Sequence, residues 1–167
     1  MGRFRSSLTL QSVEDIFRRR GWHYDVVENH IITSFDDVLM VMGVDEAREI
    51  LLLWVPLVPG KGMQGYVPVQ TTAERDAALY MMAVNYQLAL GAFTRDHHDG
   101  EVRYEISLLL LNSALSDEQL EASILITVAA VMHHAPVINN LLTGRTSLKQ
   151  ALDDLDSGHR SGPAMAV

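Results

Sequence analysis

The chain has 167 residues, no cysteine and a net charge of −8. That length suits a single domain able to hide roughly 70% of its unfolded surface, and the missing thiols exclude a disulfide framework, a thiolate nucleophile and a thiolate metal site. The first 20 residues carry five arginines against Glu14 and Asp15, for +3, and the remainder carries −11, so the acidic body repels phosphate backbones and argues against direct nucleic-acid binding.

Hydrophobic residues at 48% and charged residues at 20% are an ordinary globular balance, which excludes wholesale disorder. The opening MGRFRSSLTLQSVEDIF is charged too soon for a signal peptide. Its Met-Gly start matches an N-myristoylation pattern only loosely. The apolar run over residues 122–134 is short for a bilayer span and is followed by Pro136, so it reads as a buried helix. No membrane partner is expected, and the lack of cysteine fits a cytoplasmic location.

In chain order, Thr9 caps a first helix whose stripe is Leu10, Val13, Ile16 and Phe17, and Gly21 stops it after Arg18, Arg19 and Arg20. Those three cations suit a helix C-terminus. Strands follow over 22–27, 30–35, 38–44 and 49–58, with turns at Glu28-Asn29, Asp36-Asp37 and residues 45–48. Short connections predict antiparallel neighbours, and Pro56 is expected at a sheet edge. The loop over 59–65 is rich in glycine but lacks the Gly-Lys-Ser/Thr ending of a phosphate cradle, so it reads as a flexible connector. Thr71 or Thr72 caps a second helix with Glu74 in its first turn; Ala78, Leu79, Met82, Ala83 and Tyr86 form one apolar stripe, and Met81, Val84 and Leu88 another.

Gly91 ends that helix, and a hairpin over 92–95 and 101–111 turns on Asp99-Gly100. Ser116 with Gln119 is a capping box for a third helix running to about residue 142, roughly 40 Å long, which Pro136 should kink or split. Thr146 or Ser147 caps a last helix with Leu148, Leu152 and Leu155 on one side. The expected organisation is one domain over 1–156 and a flexible tail over 157–167. The fold class is α+β: an antiparallel sheet packed with helices in the order α-β-β-β-(β)-α-β-β-α, plus a C-terminal helix.

The pattern carries more apolar surface than two layers can hide. Residues 50–55 and 108–111 are apolar on both strand faces, and the third helix is apolar all round, with Leu120, Ile124, Val128, Val131 and Ala135 on one side and Leu125, Ala129 and Met132 on another. Surplus apolar surface of this kind marks association, so the expectation is a two-fold homodimer. Its interface, or that with a partner protein, is expected to draw on Leu51, Leu53, Trp54, Leu109, Leu111, Leu125, Ala129 and Met132.

The stretch NYQLALGAFTRDHHDGEVRY over residues 85–104 resembles the YbjN-type family of bacterial proteins, with its helix-end Asn-Tyr, its Gly-x-Phe strand and its Gly-Glu-Val-Arg hairpin. The element order is similar, as is the Leu-Ser-x-Glu-Gln-Leu opening of the third helix over 115–120, and the resemblance covers about residues 8–142. It implies a fold like that of type III secretion chaperones, a dimer, a link with sensory transduction and stress adaptation, and action through protein partners. It implies no catalytic residues. Gly91, Phe93, Gly100, Val102 and Arg103 match as architectural positions.

Residue by residue, no set announces a reaction, and no cofactor is expected. Asp96, His97, His98 and Asp99 are the best metal candidates, since imidazole and carboxylate suit Zn or Ni, but consecutive residues in a tight hairpin rarely converge on one ion, so a polar tip is the expectation. His133 and His134 diverge by about 100° on a helix. Glu101, Arg103 and Glu105 share a strand face and suit cross-strand pairs. Asn85 is expected to meet a backbone group and Tyr86 to pack in the core. Neither a Gly-x-Ser-x-Gly elbow nor a Gly-x-Gly-x-x-Gly turn occurs. The leading function is a non-enzymatic dimeric adaptor or chaperone-like regulator with a protein partner. The alternatives are a small metal- or ligand-binding enzyme domain using Asp96–Asp99 or the loop at Lys61, and an accessory docking on DNA-binding proteins through acidic charge.

Overall fold

The structure, a computed structural model, describes residues 8–65, 71–111 and 113–161. The Met-Gly start and the tail from residue 162 lie outside the described residues.

Helix α1 (Leu10–Arg20) begins at a reciprocal box: the Ser12 N–H donates to Thr9 Oγ1 at 3.1 Å and the Thr9 N–H donates to Ser12 Oγ at 3.0 Å. It ends at Gly21, whose φ of +68° lets its N–H reach back to Arg18 and Phe17. Trp22 and Tyr24, placed by sequence in a first strand, pack edge-on against Phe17 instead, and only Asp25–Val27 pairs as β1. β2 (His30–Phe35), β3 (Val38–Asp45) and β4 (Ile50–Val58) follow as a meander. The β2–β3 turn places both Asp36 and Asp37 at positive φ, the hand that matches strand twist in a two-residue loop.

Helix α2 (Thr71–Gln87) already contains Thr71 and Thr72, the residues expected to cap it, and residue 70 before it lies outside the described residues. β5 (Ala92–Arg95) and β6 (Val102–Leu109) form the expected hairpin, with Gly100 at φ +83° and its N–H on Asp96 O at 2.9 Å. β6 ends at Leu109, two residues before the predicted end. Helix α3 (Asp117–Leu142) opens on the predicted Ser116/Gln119 box. It is not split by Pro136: the carbonyl left without a donor belongs to Met132, which is 57% exposed, so water can serve it. Helix α4 (Leu148–Ser161) has Ser147 Oγ accepting from the Gln150 N–H at 3.3 Å and continues five residues into the stretch expected to be a loose tail.

The described strands form one antiparallel six-stranded sheet in the order β1-β2-β3-β4-β6-β5. β4 is therefore central over residues 50–54, while its end over residues 55–58, which holds Pro56, is unpaired on the β3 side, the edge expected there. Pro56 is accommodated because the β4–β6 register shifts at Pro56/Val58 and because β3 stops pairing with β4 at Trp54, so no ladder bond is asked of it. Register puts Ile31, Met42, Leu53 and Ile106 in one row across four strands, and all are 2% exposed or less. α1, α2 and α3 pack on this face and complete the core with Phe17, Tyr80, Leu120 and Ile138.

Within α3, Thr127 is fully buried and its Oγ1 finds no hydrogen-bond partner among the described residues. An unmet buried hydroxyl is a net cost. Thr127→Val is expected to raise stability by about 1 kcal/mol, readable as a higher urea midpoint at unchanged slope.

Candidate functional site

The buried side chains of the sheet all point one way. The other face of the sheet carries no helix from the described residues, and it is apolar at its centre. Register aligns Ile32, Val41 and Trp54 in one row and Gly43 with Leu52 in the next, with Leu39 two residues before Val41. Leu39 is 49% and Leu52 39% exposed. Polar groups ring this patch: Ser34, Ser107 and the Arg103–Glu105 pair at 2.9 Å. That pair runs along β6 and not across strands as expected. The His30 ring meets Trp54 edge-on at 5.4 Å over Gly43, where an added Cβ would sit 3.1 Å from His30 Cδ2. The glycine thus leaves room for the His30 and Trp54 rings to meet edge to face above it.

The residues expected at an interface separate along this division. Leu51 and Leu53 are 1% and 2% exposed and belong to the core, which removes them as surface residues. The physical reason is the strand period of two: Trp54 is their neighbour in β4 and necessarily points to the opposite face. Trp54 and Leu109 lie on the open side of the sheet, and Leu109 also lines a groove of about 330 Å³ with Ala122 and Ile126 of α3. Leu111 is exposed beyond β6. Leu125, Ala129 and Met132 form an exposed stripe on α3, so that helix is buried on one side only and not all round. α3 is long and apolar enough by length and composition to cross a membrane, and its inward residues belong to the core.

Of the two apolar stripes expected on α2, the one with Met81 and Val84 turns inward and the other outward, which corrects the placement of Tyr86 in the core. Ala77, Tyr80, Met81 and Val84 face the core, whereas Leu79, Met82 and Tyr86 face out, Tyr86 at 92% exposure. Asn85 behaves as expected: its Nδ2 donates to Phe93 O and its Oδ1 accepts from the Phe93 N–H, both at 2.8 Å, pinning α2 to β5.

The arginines after α1 do more than complement a dipole. Arg19 bonds Asp117 at 2.5 Å and Arg20 reaches Glu121 at 3.0 Å, so they tie α1 to the first turns of α3. The Arg19 guanidinium holds the Asp117 carboxyl below its ordinary range. Nothing local in sequence signals this pairing, which spans 98 positions.

At the β5–β6 tip, donor atoms of Asp96, His97 and His98 lie within 4.8 Å of one another, all exposed, while Asp99 turns away to accept from the Glu101 N–H at 2.9 Å. The Asp96 carboxyl is held low, first by the His98 N–H. The loop over 59–65 is not a free connector: Lys61 N–H donates to Asp99 O at 2.6 Å, and Gly60 packs on the Asp99 carboxylate.

Tyr80 and His134 form a buried pair, Tyr80 Oη to His134 Nδ1 at 3.0 Å. Burial, with help from His133, pushes His134 down from 6.5 to about 4, and burial pushes Tyr80 up to about 12. The folded His134 value lies below the unfolded one, so above pH 6.5 both states are neutral. Between pH 6.5 and 4 only the unfolded chain takes the proton, and stability falls with pH across that window. A loss of about 2–3 kcal/mol between pH 7 and 4.5 is expected from this group, measured by urea unfolding as the part of the pH dependence that His134→Gln abolishes.

The described residues form a two-layer α+β fold with one sheet face roofed by helices, and among them a cluster of metal-ligand donors gathers at the exposed β5–β6 tip. The sequence matches the model of the YbjN family, described as "Putative bacterial sensory transduction regulator", over residues 9–139, and the chain belongs to that family. The crystal structure of YbjN from E. coli has the same fold, with a TM-score of 0.55 at 12% identity over 79% of this chain and 90% of that one. The HopA1-SchA chaperone-effector complex gives a TM-score of 0.49 at 18% identity, covering 71% of this chain and 86% of that one. The ExsC-ExsE complex gives 0.49 at 21%, covering 80% and 92%. Among curated proteins none matches.

Proposed function

We propose that the chain is a non-enzymatic protein-docking module that pairs with a second copy through the open face of its sheet. In that form it serves as a chaperone-like adaptor or regulator of bacterial sensory or stress responses, working in the cytoplasm on a protein partner. The observation that carries this reading is the apolar patch of Leu39, Val41, Leu52 and Trp54 on a sheet face over which none of the described helices packs. Membership of a family described as sensory regulators supports it.

Geometry favours the face over the edges. The edge strands β1 and β5 have three and four residues, too few ladder bonds for strand addition to hold a partner. Six strands spaced about 4.8 Å apart make a face roughly 25 Å wide, room for a standard interface of about 800 Å² per subunit. The α3 stripe of Leu125, Ala129 and Met132 then remains for the partner protein.

The test uses one charge per face. Leu52→Glu is expected to yield monomers with unchanged circular dichroism, while Leu125→Glu leaves the dimer intact and loses proteins that co-purify from the native cell. A dimer indifferent to Leu52→Glu and broken by Leu125→Glu overturns the assignment. The trio of Asp96, His97 and His98 favours a second reading, a metal-binding tip. Stoichiometric Zn or Ni in untagged protein, lost in His97→Ala, is its expected signature.

A further inference from the structure

We infer that the cavity between α2, α3 and α4 binds a small zwitterion, a molecule carrying one carboxylate and one ammonium group. The cavity measures about 630 Å³ and is lined by residues of all three helices and of the α3–α4 turn. That size suits a small molecule. Its floor is the buried Tyr80–His134 pair, neutral at physiological pH and so without a charge to bias the ligand.

The charges sit higher, and they are of opposite sign. Arg145, from the turn, and Asp154, from α4, both line the cavity, and neither has an ion-pair partner among the described residues. This sets Arg145 apart: Arg18, Arg19, Arg20, Arg48, Arg75, Arg95 and Arg103 each hold a carboxylate. Asp154 is close enough to the floor for its charge to help raise Tyr80.

Two unpaired, opposite charges that share a cavity without touching leave a gap that one ligand can bridge. A guanidinium suits a carboxylate, and Asp154 suits an ammonium. A bare anion would meet the Asp154 carboxylate and the −8 body. A bare cation would meet Arg145. The amides of Gln87 and Asn140 on the wall offer further hydrogen bonds. Arg145 and Asp154 lie beyond residue 139, where the family match ends.

Isothermal titration of the full chain with ω-amino acids from glycine to 6-aminohexanoate, beside the matched acids and amines, tests it. At least one amino acid should saturate with a Kd below about 1 mM and bind at least about tenfold more weakly to Arg145→Gln and to Asp154→Asn. Both side chains are exposed, so both variants should keep the wild-type melting temperature. No saturation by any member, equal binding by the matched acid or amine, or indifference to both variants overturns the site. The outcome is independent of dimerisation, which the Leu52→Glu variant reports separately.

Discussion

Gly91→Ala is expected to destabilise the fold by about 3–5 kcal/mol, adding backbone strain to overpacking. Gly91 joins α2 to β5 at φ +76°, a conformation that costs a residue with a Cβ. The Cβ would also have nowhere to go: it would meet the Tyr104 hydroxyl, lie 2.6 Å from Tyr104 Cζ and 2.8 Å from Ile106 Cγ1. Neither neighbour can yield cheaply. Tyr104 is fully buried, its hydroxyl donates to Leu90 O at 2.7 Å, and its ring packs on Phe93 at 4.9 Å. Urea unfolding checks the figure. Gly100→Ala is the internal comparison: it has the same sign of φ, but its nearest neighbour is the Arg95 guanidinium at 3.3 Å, so the loss there should be about 1–2 kcal/mol.

The second large effect separates the faces of β4. Leu53→Ala removes a side chain that is 2% exposed and stands between Met42 and Ile106 in the buried row; a loss of about 3–4 kcal/mol is expected. Leu52→Ala, one residue earlier, should cost the monomeric subunit under about 1 kcal/mol, because Leu52 is 39% exposed on the open face. Measured at protein concentrations low enough to keep each variant monomeric, the two losses report the subunit alone. Equal losses would mean that β4 is covered on both sides.

Legibility in sequence followed the range of each interaction. The Thr9 and Ser116 caps, the Gly21 stop and the turns at Asp36-Asp37 and Asp99-Gly100 depend on neighbours within a few residues, and they stand where sequence placed them. The fold class followed from the order of those elements, and so did the Asn85 contact with backbone. Choosing a face was harder. β4 reads Ile-Leu-Leu-Leu-Trp-Val, apolar on both sides, so nothing in its own pattern separates Leu51 and Leu53 from Leu52 and Trp54. α2 has the same ambiguity, with Ala, Met and Leu spread around it, and Tyr86 fell on the wrong side. Only packing against distant elements resolves such cases. The α1–α3 clamp and the Arg145–Asp154 cavity are invisible for the same reason, since their members come from separate elements.

The measurement that bears most directly on the central claim is the mass of the untagged wild-type chain in solution. Light scattering at micromolar concentration and moderate salt should give twice 18.6 kDa, with dissociation confined to Leu52→Glu and its neighbours on the open sheet face. A mass of 18.6 kDa across the same concentrations would contradict the account, because the bare face of the sheet would then stay in water without a second copy to cover it.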